Sequence, residues 1–128
     1  MDQKSSFHPS PSTPALALPA GSTDCHCHVF GPVSAFPYAE DRTYTPQGEA
    51  PKEKLFAMHD AMGVQRCVIV QAGCHGFDNS AVADAIAARP GRYFGIALAP
   101  VETSLDALRV LNLQGFRGVR FNFMRHLG

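Results

Sequence analysis

The sequence predicts an α/β fold, more specifically the amino-terminal half of a (β/α)8 TIM barrel with about four βα units. From residue 23 onward, short apolar runs alternate with helical segments, which is the pattern of a parallel sheet. Strands two, three and four begin about 25 residues apart, and no glycine-rich phosphate motif follows the first strand. The chain has 128 residues, whereas an eight-stranded barrel takes about 250, so half a barrel is expected.

The first strand is predicted over Thr23–Val29, where residues of strand type follow a Pro- and Ser-rich segment. The polar, Pro-rich segment 30–51 is far longer than a usual βα loop, which is typical of a functional or disordered loop. A helix is predicted over Lys52–Met62, and Gly63 supplies its left-handed C-cap. Four residues form its inward stripe: Leu55, Phe56, His59 and Met62.

The second strand is predicted over Arg66–Ala72, because its Val-Ile-Val run is β-branched and apolar on both faces. Asp78 or Asn79 can cap the next helix, which ends before Pro90. Apolar residues recur in that helix at helical spacing: Val82, Ala83, Ile86 and Ala87. The run Tyr93–Leu98 is the third strand.

The last helix begins after Thr103 or Ser104, either of which can cap it, and Gly115 closes it. Its inward side is predicted to consist of Leu105, Leu108, Leu111 and Asn112. The fourth strand is predicted over Phe116–Phe123.

Composition restricts the class of partner. The chain is 45% hydrophobic and 17% charged with a formal net charge of zero, which is ordinary globular composition. Neither a nucleic acid nor a membrane is therefore expected as partner, and a small molecule is. Residues 1–22 are predicted to be a disordered tail before a domain at 23–128. The four cysteines form no Cys-x-x-Cys pair and no apolar run has signal-peptide length, so a cytoplasmic protein with reduced thiols is expected.

The segment Asp24-Cys25-His26-Cys27-His28 carries the strongest functional signal. In a regular strand, His26 and His28 project from one face with Asp24, and the two cysteines project from the other. Two histidines on a buried parallel strand break its apolar rule, and they suit a metal or a polarised carbonyl. The alternative is that hydrogen bonds within the protein satisfy both rings.

The same segment, extended to Asp24–Pro32, resembles the amidohydrolase-2 branch of the metal-dependent TIM-barrel hydrolases. The resemblance covers about residues 22–128 and is nearest to the 2-pyrone-4,6-dicarboxylate lactonases of aromatic degradation. Further motifs carry it: Phe36-Pro37-Tyr38, Tyr44-Thr45-Pro46, Val68-Ile69-Val70-Gln71-Ala72 and Arg117-Gly118-Val119-Arg120-Phe121-Asn122-Phe123.

The resemblance implies that His26 and His28 are catalytic, by one of two routes. In most of the superfamily they bind a divalent metal such as zinc, which polarises the carbonyl and lowers the pKa of a bound water. The pyrone-dicarboxylate lactonases work without metal, and there both rings would hydrogen-bond the lactone carbonyl and stabilise the tetrahedral intermediate. The choice between these routes is left open.

The resemblance also implies a site for a small anionic substrate. Arg120, near the end of the fourth strand, would clamp a carboxylate, and Tyr44 would reach it from the long loop or else pack that loop down. Gly73 lies where the lactonases tend to have serine. His126 lies where they usually have a second arginine, and Arg125 beside it is the candidate replacement.

Two other histidines are not expected to be catalytic. His59 lies on the apolar stripe of a helix and reads as a hydrogen-bonded core residue. Cys74 and His75 are neighbours in a loop, where adjacent side chains seldom face each other, so a nucleophile and base pair is not expected.

The remaining catalytic groups of the family, a later histidine and an aspartate that acts as general base, fall beyond residue 128. The chain is therefore expected to be a fragment that has no lactonase activity. Two alternatives stay open: a small metal-binding module made from residues 25–28, and a non-catalytic half-barrel that self-associates through its open sheet edges.

Overall fold

The fold is a parallel sheet whose four strands lie in sequence order, β1-β2-β3-β4. The computed structural model describes residues 7–123. Its elements are β1 Thr23–Cys27, α1 Lys52–Met62, β2 Arg66–Val70, a 3-10 turn at Gly73–His75, α2 Ser80–Ala88, β3 Tyr93–Leu98, α3 Leu105–Leu113 and β4 Phe116–Arg120. Each strand pairs in parallel with the next, which confirms the predicted α/β class.

Helix ends follow their predicted signals. α1 has the predicted bounds, and Gly63 ends it with φ of 77°. Ser104 caps α3, since its hydroxyl accepts a hydrogen bond from the Ala107 amide at 3.2 Å. At α2 the carboxylate of Asp78 accepts from the Ser80 amide at 3.0 Å. Asn79 instead joins the end of β3 to the α2 start, because its side-chain amide exchanges two hydrogen bonds with the Leu98 backbone, each 3.0 Å.

The core lies between the sheet and helices α1 and α2. Its buried members come from strands β2, β3 and β4, from helices α1 and α2, and from the residues just after β1. They are Val29, Leu55, Cys67, Ile69, Val82, Ala85, Ile86, Tyr93, Ala97 and Phe116. His59 is 1% exposed and its Nδ1 is 2.6 Å from the Tyr93 hydroxyl. The prediction of a hydrogen-bonded core histidine is confirmed.

Three predicted strands are too long at their carboxyl ends. They end at Cys27, Val70 and Arg120 instead of Val29, Ala72 and Phe123. Residues of strand type continue the sequence in each case, but pairing stops. β3 ends just before Pro100, so the residues after Arg120 have no neighbouring strand to pair with.

The predicted inward side of α3 is confirmed only in part, because Leu108 and Leu111 are half-buried and Leu111 packs against the core, whereas Asn112 is exposed. Leu105 is 62% exposed, and no residue of this helix is buried. α3 flanks β4, which is the last strand of the sheet, and within residues 7–123 no further element covers that edge. Met62 of the α1 stripe is also exposed. Among the described residues, no helix combines the length and the apolar character that crossing a membrane requires.

Candidate active site

A cleft of about 770 Å³ opens at the carboxyl ends of the four strands. Residues that end or follow each strand contribute to its wall: His28 after β1, Gly73 after β2, Leu98 in β3 and Arg120 in β4. The long loop after β1 contributes Tyr44 and its neighbours. Barrels place their reacting groups at this end of the sheet, because the βα loops meet there.

His26 and His28 lie next to each other at the end of β1. Their ring centroids are 5.2 Å apart and the planes cross at 83°. His28 forms part of the cleft wall, while His26 is exposed beside the cleft. The expected pairing of the two rings on one side of the strand is therefore present.

Asp24 does not share the face of the histidines, contrary to expectation. Asp24 pairs with Cys67 and Cys27 with Ile69, so β1 contains one extra residue between them. Such a bulge interrupts the alternation of faces. The Asp24 carboxylate consequently contacts His59 of α1 at 3.1 Å, and Cys27 lies on the same side, 3.2 Å from the Cys67 sulfur.

The backbone fixes the proton of His28. Its Nδ1 lies 2.8 Å from the Val70 carbonyl oxygen, which can only accept, so Nδ1 donates. In the neutral ring, Nε2 then has a lone pair and no proton. That arrangement suits a metal ligand, because ligating histidines usually donate their other N–H to a carbonyl. It also shows that His28 needs a second proton before Nε2 can donate to a substrate oxygen.

The described residues contain one group of three or more close ligand side chains, and His26 and His28 are not in it. Within residues 7–123, these two histidines would therefore supply two protein ligands to a metal.

Arg120 lies in the cleft wall. Within residues 7–123, no carboxylate or carbonyl forms an ion pair or hydrogen bond with its side chain. Arg117 on the same strand differs, because it donates to the Asn112 carbonyl at 2.9 Å and stacks over Phe94 at 5.3 Å. An unpaired guanidinium in a cleft is suited to bind a carboxylate with two hydrogen bonds.

Tyr44 reaches the cleft from the long loop and remains 49% exposed. Its ring lies over Gly73, where an added Cβ would be 3.7 Å from Cε1. Burial and the neighbouring Cys74 thiol raise the pKa of Tyr44, so the phenol keeps its proton and can donate. The two predicted roles, substrate contact and loop packing, are therefore compatible.

The long loop is held by a backbone bridge at its base and by hydrogen bonds to the side chain of His75. Phe30 and Ala50 form an antiparallel bridge at the loop base, with N to O distances of 3.0 and 2.9 Å. His75, in the 3-10 turn after β2, also anchors the loop. Its Nε2 accepts a hydrogen bond from the Gly31 amide at 3.3 Å, and its Nδ1 donates to the Pro37 carbonyl at 3.1 Å. Both nitrogens of His75 are thus occupied.

Cys74 and His75 do not form a catalytic pair. Burial raises the pKa of the Cys74 thiol, so it stays protonated. His75 is engaged by backbone groups of the loop.

Arg42 is a cleft residue that the sequence reasoning missed. It donates to the Thr45 hydroxyl at 2.8 Å and to the Ala39 carbonyl at 2.7 Å. The signal in the sequence is a lone cation two residues before Tyr44, in a loop whose length is typical of a functional or disordered segment. Two predicted substrate contacts, Arg125 and His126, lie outside the described residues.

Comparison with known proteins gives a match to the amidohydrolase family and shows that lactone hydrolases are similar to this chain. Residues 23–128 match the amidohydrolase family. The chain is 46% identical over 121 residues to a 2-pyrone-4,6-dicarboxylate hydrolase of Comamonas testosteroni, covering 94% of this chain and 39% of that protein. It is 42% identical over 109 residues to a 4-sulfomuconolactone hydrolase of Rhizobium radiobacter, covering 85% of this chain and 36% of that protein.

Solved structures share the fold. A probable 2-pyrone-4,6-dicarboxylic acid hydrolase from Acinetobacter baumannii, with citric acid bound, superposes with a TM-score of 0.71 at 31% identity, over 77% of this chain and 36% of that one. A protein of Agrobacterium tumefaciens superposes with a TM-score of 0.75 at 20% identity, over 86% and 40% of the two chains, which shows the fold alone. The four strands thus correspond to the half-barrel that was predicted, and the chain spans about two-fifths of the length of these relatives.

Proposed function

The chain belongs to the amidohydrolase family, and from that premise we propose that its cleft is the amino-terminal half of the active site of a lactone hydrolase. The substrate would be a small lactone that carries at least one carboxylate or similar anionic group. One observation carries the proposal: the anchored His28 ring lies in the wall of the same cleft as the Arg120 guanidinium, which has no ion pair or hydrogen bond within residues 7–123.

Arg120 and Tyr44 supply the recognition of the acid group. The guanidinium offers two parallel donors, and the protonated phenol offers a third. The names of the relatives fit this chemistry, since one hydrolyses a dicarboxylate and the other a sulfonated lactone. The solved relative with bound citric acid also holds a small polycarboxylic acid.

His26 and His28 supply the groups that act on the lactone carbonyl. When water attacks the carbonyl carbon, negative charge develops on the carbonyl oxygen, and a nearby positive charge or N–H donor stabilises it. His28 can act directly only as the doubly protonated ring, because its Nδ1 proton is committed to Val70. As a neutral ring it presents the Nε2 lone pair to a cation.

A divalent metal fits the donor set that His28 and its neighbour present. When bound, such a metal supplies Lewis acidity that polarises the carbonyl. His26 and His28 would hold it, and the Val70 carbonyl would fix the tautomer of His28.

A binding experiment tests the proposal without requiring turnover. Citrate or 2-pyrone-4,6-dicarboxylate is titrated into the 128-residue chain and followed by calorimetry, together with the imidazole resonances in NMR. We expect Arg120→Met to weaken binding by about 10-fold or more, because a charge-assisted hydrogen bond contributes about 1.5–3 kcal/mol. Arg117→Met is the matched control, since that guanidinium is engaged by Asn112.

Equal weakening in the two arginine variants would show a non-specific charge effect and contradict the proposal. An unchanged affinity in Arg120→Met would do so as well. Carboxylate binding that leaves the His28 resonances unperturbed would separate the acid site from the histidines, and would remove the argument for hydrolysis.

A further inference from the structure

A second cluster of chemically active side chains lies on the face of β1 that α1 covers. It consists of Asp24 and Cys27 of β1, His59 of α1 and Cys67 of β2, and is called here the thiol cluster. One ligand atom from each residue lies within 4.8 Å of the others. The two sulfurs are 3.2 Å apart, and His59 Nε2 is 3.1 Å from the Asp24 carboxylate.

The β1 bulge creates this cluster. Without the extra residue, Asp24 and Cys27 would project from opposite faces, since their spacing is odd. With it, both lie next to Cys67, whose strand position is opposite Asp24. The bulge therefore assembles four potential ligands on one side of the strand and leaves His26 and His28 on the other.

We propose that the thiol cluster binds a thiophilic divalent metal, zinc in the first instance, through Cys27 Sγ, Cys67 Sγ, His59 Nε2 and one Asp24 carboxylate oxygen. Two thiolates, an imidazole and a carboxylate are all ligands that zinc accepts in tetrahedral sites. With metal to ligand distances of about 2.0–2.3 Å, neighbouring ligand atoms stand about 3.3–3.8 Å apart in such a site. The observed spacing requires only small side-chain shifts.

The surroundings of His59 match those of a ligating histidine. Its Nδ1 lies 2.6 Å from the Tyr93 hydroxyl, and both residues are buried. In the described structure the Asp24 carboxylate can only accept, so Nε2 of the neutral ring carries the proton and Nδ1 accepts from the Tyr93 hydroxyl. On metal binding the proton would move to Nδ1, which then donates to the hydroxyl oxygen and leaves the Nε2 lone pair for the metal. Partners of this kind fix the tautomer and orientation of a ligand.

Metal binding at the thiol cluster would have to displace thiol protons. The neighbouring Cys27 thiol, burial, and the negative charge of Asp24 together raise the pKa of Cys67 well above its usual range. The Cys67 thiol therefore keeps its proton while the cluster holds no cation. A divalent ion reverses this, so binding releases two thiol protons, and the thiolates select zinc over magnesium or calcium.

The thiol cluster differs from the metal module that residues 25–28 could have formed. Cys25 is exposed, His28 lines the cleft and His26 lies beside it. A metal in the thiol cluster would join β1, β2 and α1 on the side of the sheet away from the substrate. Its role would be to hold the bulge that positions His26 and His28.

Cobalt titration of the reduced 128-residue chain tests the proposal. We expect one equivalent of Co²⁺ to give a near-ultraviolet band of thiolate-to-cobalt charge transfer, with release of two protons and displacement by Zn²⁺. Loss of a residue that hydrogen-bonds a metal ligand typically weakens metal binding by ~10–100-fold. Cys67→Ser and Cys27→Ser each remove a ligand itself, so each should weaken cobalt binding by more than that. Cys25→Ser is the matched control, and a double His26→Ala, His28→Ala variant should keep the band.

Absence of the charge-transfer band at millimolar cobalt would overturn the proposal. A band that survives in both Cys67→Ser and Cys27→Ser, or disappears in Cys25→Ser, would also overturn it. Circular dichroism reports whether each variant folds, and if buried Cys67 does not tolerate serine, the half-buried Cys27 decides. The carboxylate-binding experiment uses other residues, so the two proposals can fail separately.

Discussion

Gly73 lines the cleft, and a side chain at this position would change the contacts offered to a bound carboxylate. Its backbone does not have the positive φ that favours glycine, and an added Cβ would make ordinary contact with Tyr44 at 3.7 Å. We therefore expect Gly73→Ser to change the free energy of unfolding by less than about 0.5 kcal/mol. The new hydroxyl would lie in the cleft wall, so carboxylate affinity should be retained or increased. Denaturant unfolding and calorimetry measure the two quantities.

Gly95→Ala provides the contrast for that prediction. A Cβ there would lie 2.6 Å from the Phe116 ring and 2.9 Å from Ile86. Overpacking of this kind typically costs about 1–3 kcal/mol. If Gly73→Ser destabilises the chain as much as Gly95→Ala does, the space over Gly73 is not the open cleft that the structure describes.

At the scale of single residues, the sequence predicted that two imidazoles lie together, but it did not predict the face of β1 on which Asp24 lies. The spacing of His26 and His28 placed two imidazoles together, and they are 5.2 Å apart. The position of Asp24 was not predictable in the same way, because the β1 bulge changes the alternation of faces and leaves no mark in the residue types. The thiol cluster depends on that bulge, so strand periodicity alone excluded it.

At the scale of elements, end signals were more informative than apolar patterns. Gly63 and Ser104 ended and began helices where local chemistry requires it. Strand ends could not be predicted so well, because they depend on the neighbouring strand. Phe121 and Phe123 have residue types that favour a strand, but β3 stops at Leu98 and leaves them without a strand to pair with. The α3 stripe is confirmed only in part for the same reason. Leu111 packs against the core, but no element within residues 7–123 covers Leu105.

The junction of α1 with the end of α2 gives a pH-dependent prediction. Arg89 makes two 2.7 Å hydrogen bonds to Asp60 and stacks at 4.4 Å over Phe56. The Arg89 hydrogen bonds hold the pKa of Asp60 below its usual value. The unfolded chain therefore takes up a proton at higher pH than the folded chain does. The pair's contribution is complete above about pH 4 and is lost as the pH falls through the lower folded pKa.

Asp60→Asn should accordingly reduce the free energy of unfolding at pH 7 and have less effect at pH 3. Asp60 is 57% exposed, so solvent screening limits the difference to about 0.2–1 kcal/mol. Urea unfolding at both pH values measures it. Asp106→Asn, which removes an ion pair within α3, is the control. A pH-independent effect of Asp60→Asn would show that the ion pair contributes nothing.

On the scale of the whole molecule, uncovered apolar surface predicts self-association. Both edge strands, β1 and β4, lack an outer neighbour within residues 7–123, and α3 leaves Leu113 86% exposed. We expect concentration-dependent association of the 128-residue chain by light scattering, and weaker association in Leu113→Glu. Leu16→Glu is the control, because Leu16 is 75% exposed in the segment before β1. An equal response of both variants, or a monomer at all concentrations, would exclude α3 as the contact.

The half-site also predicts binding without turnover. His28 and Arg120 can engage a lactone acid, but no described carboxylate joins the two histidines as a base for water. A group that binds substrate and transition state equally does not accelerate hydrolysis. The 128-residue chain should therefore bind 2-pyrone-4,6-dicarboxylate, with the Arg120 dependence given above, while its ultraviolet absorbance decays at the uncatalysed rate. Faster decay that His28→Ala abolishes would show that residues 1–128 suffice for catalysis.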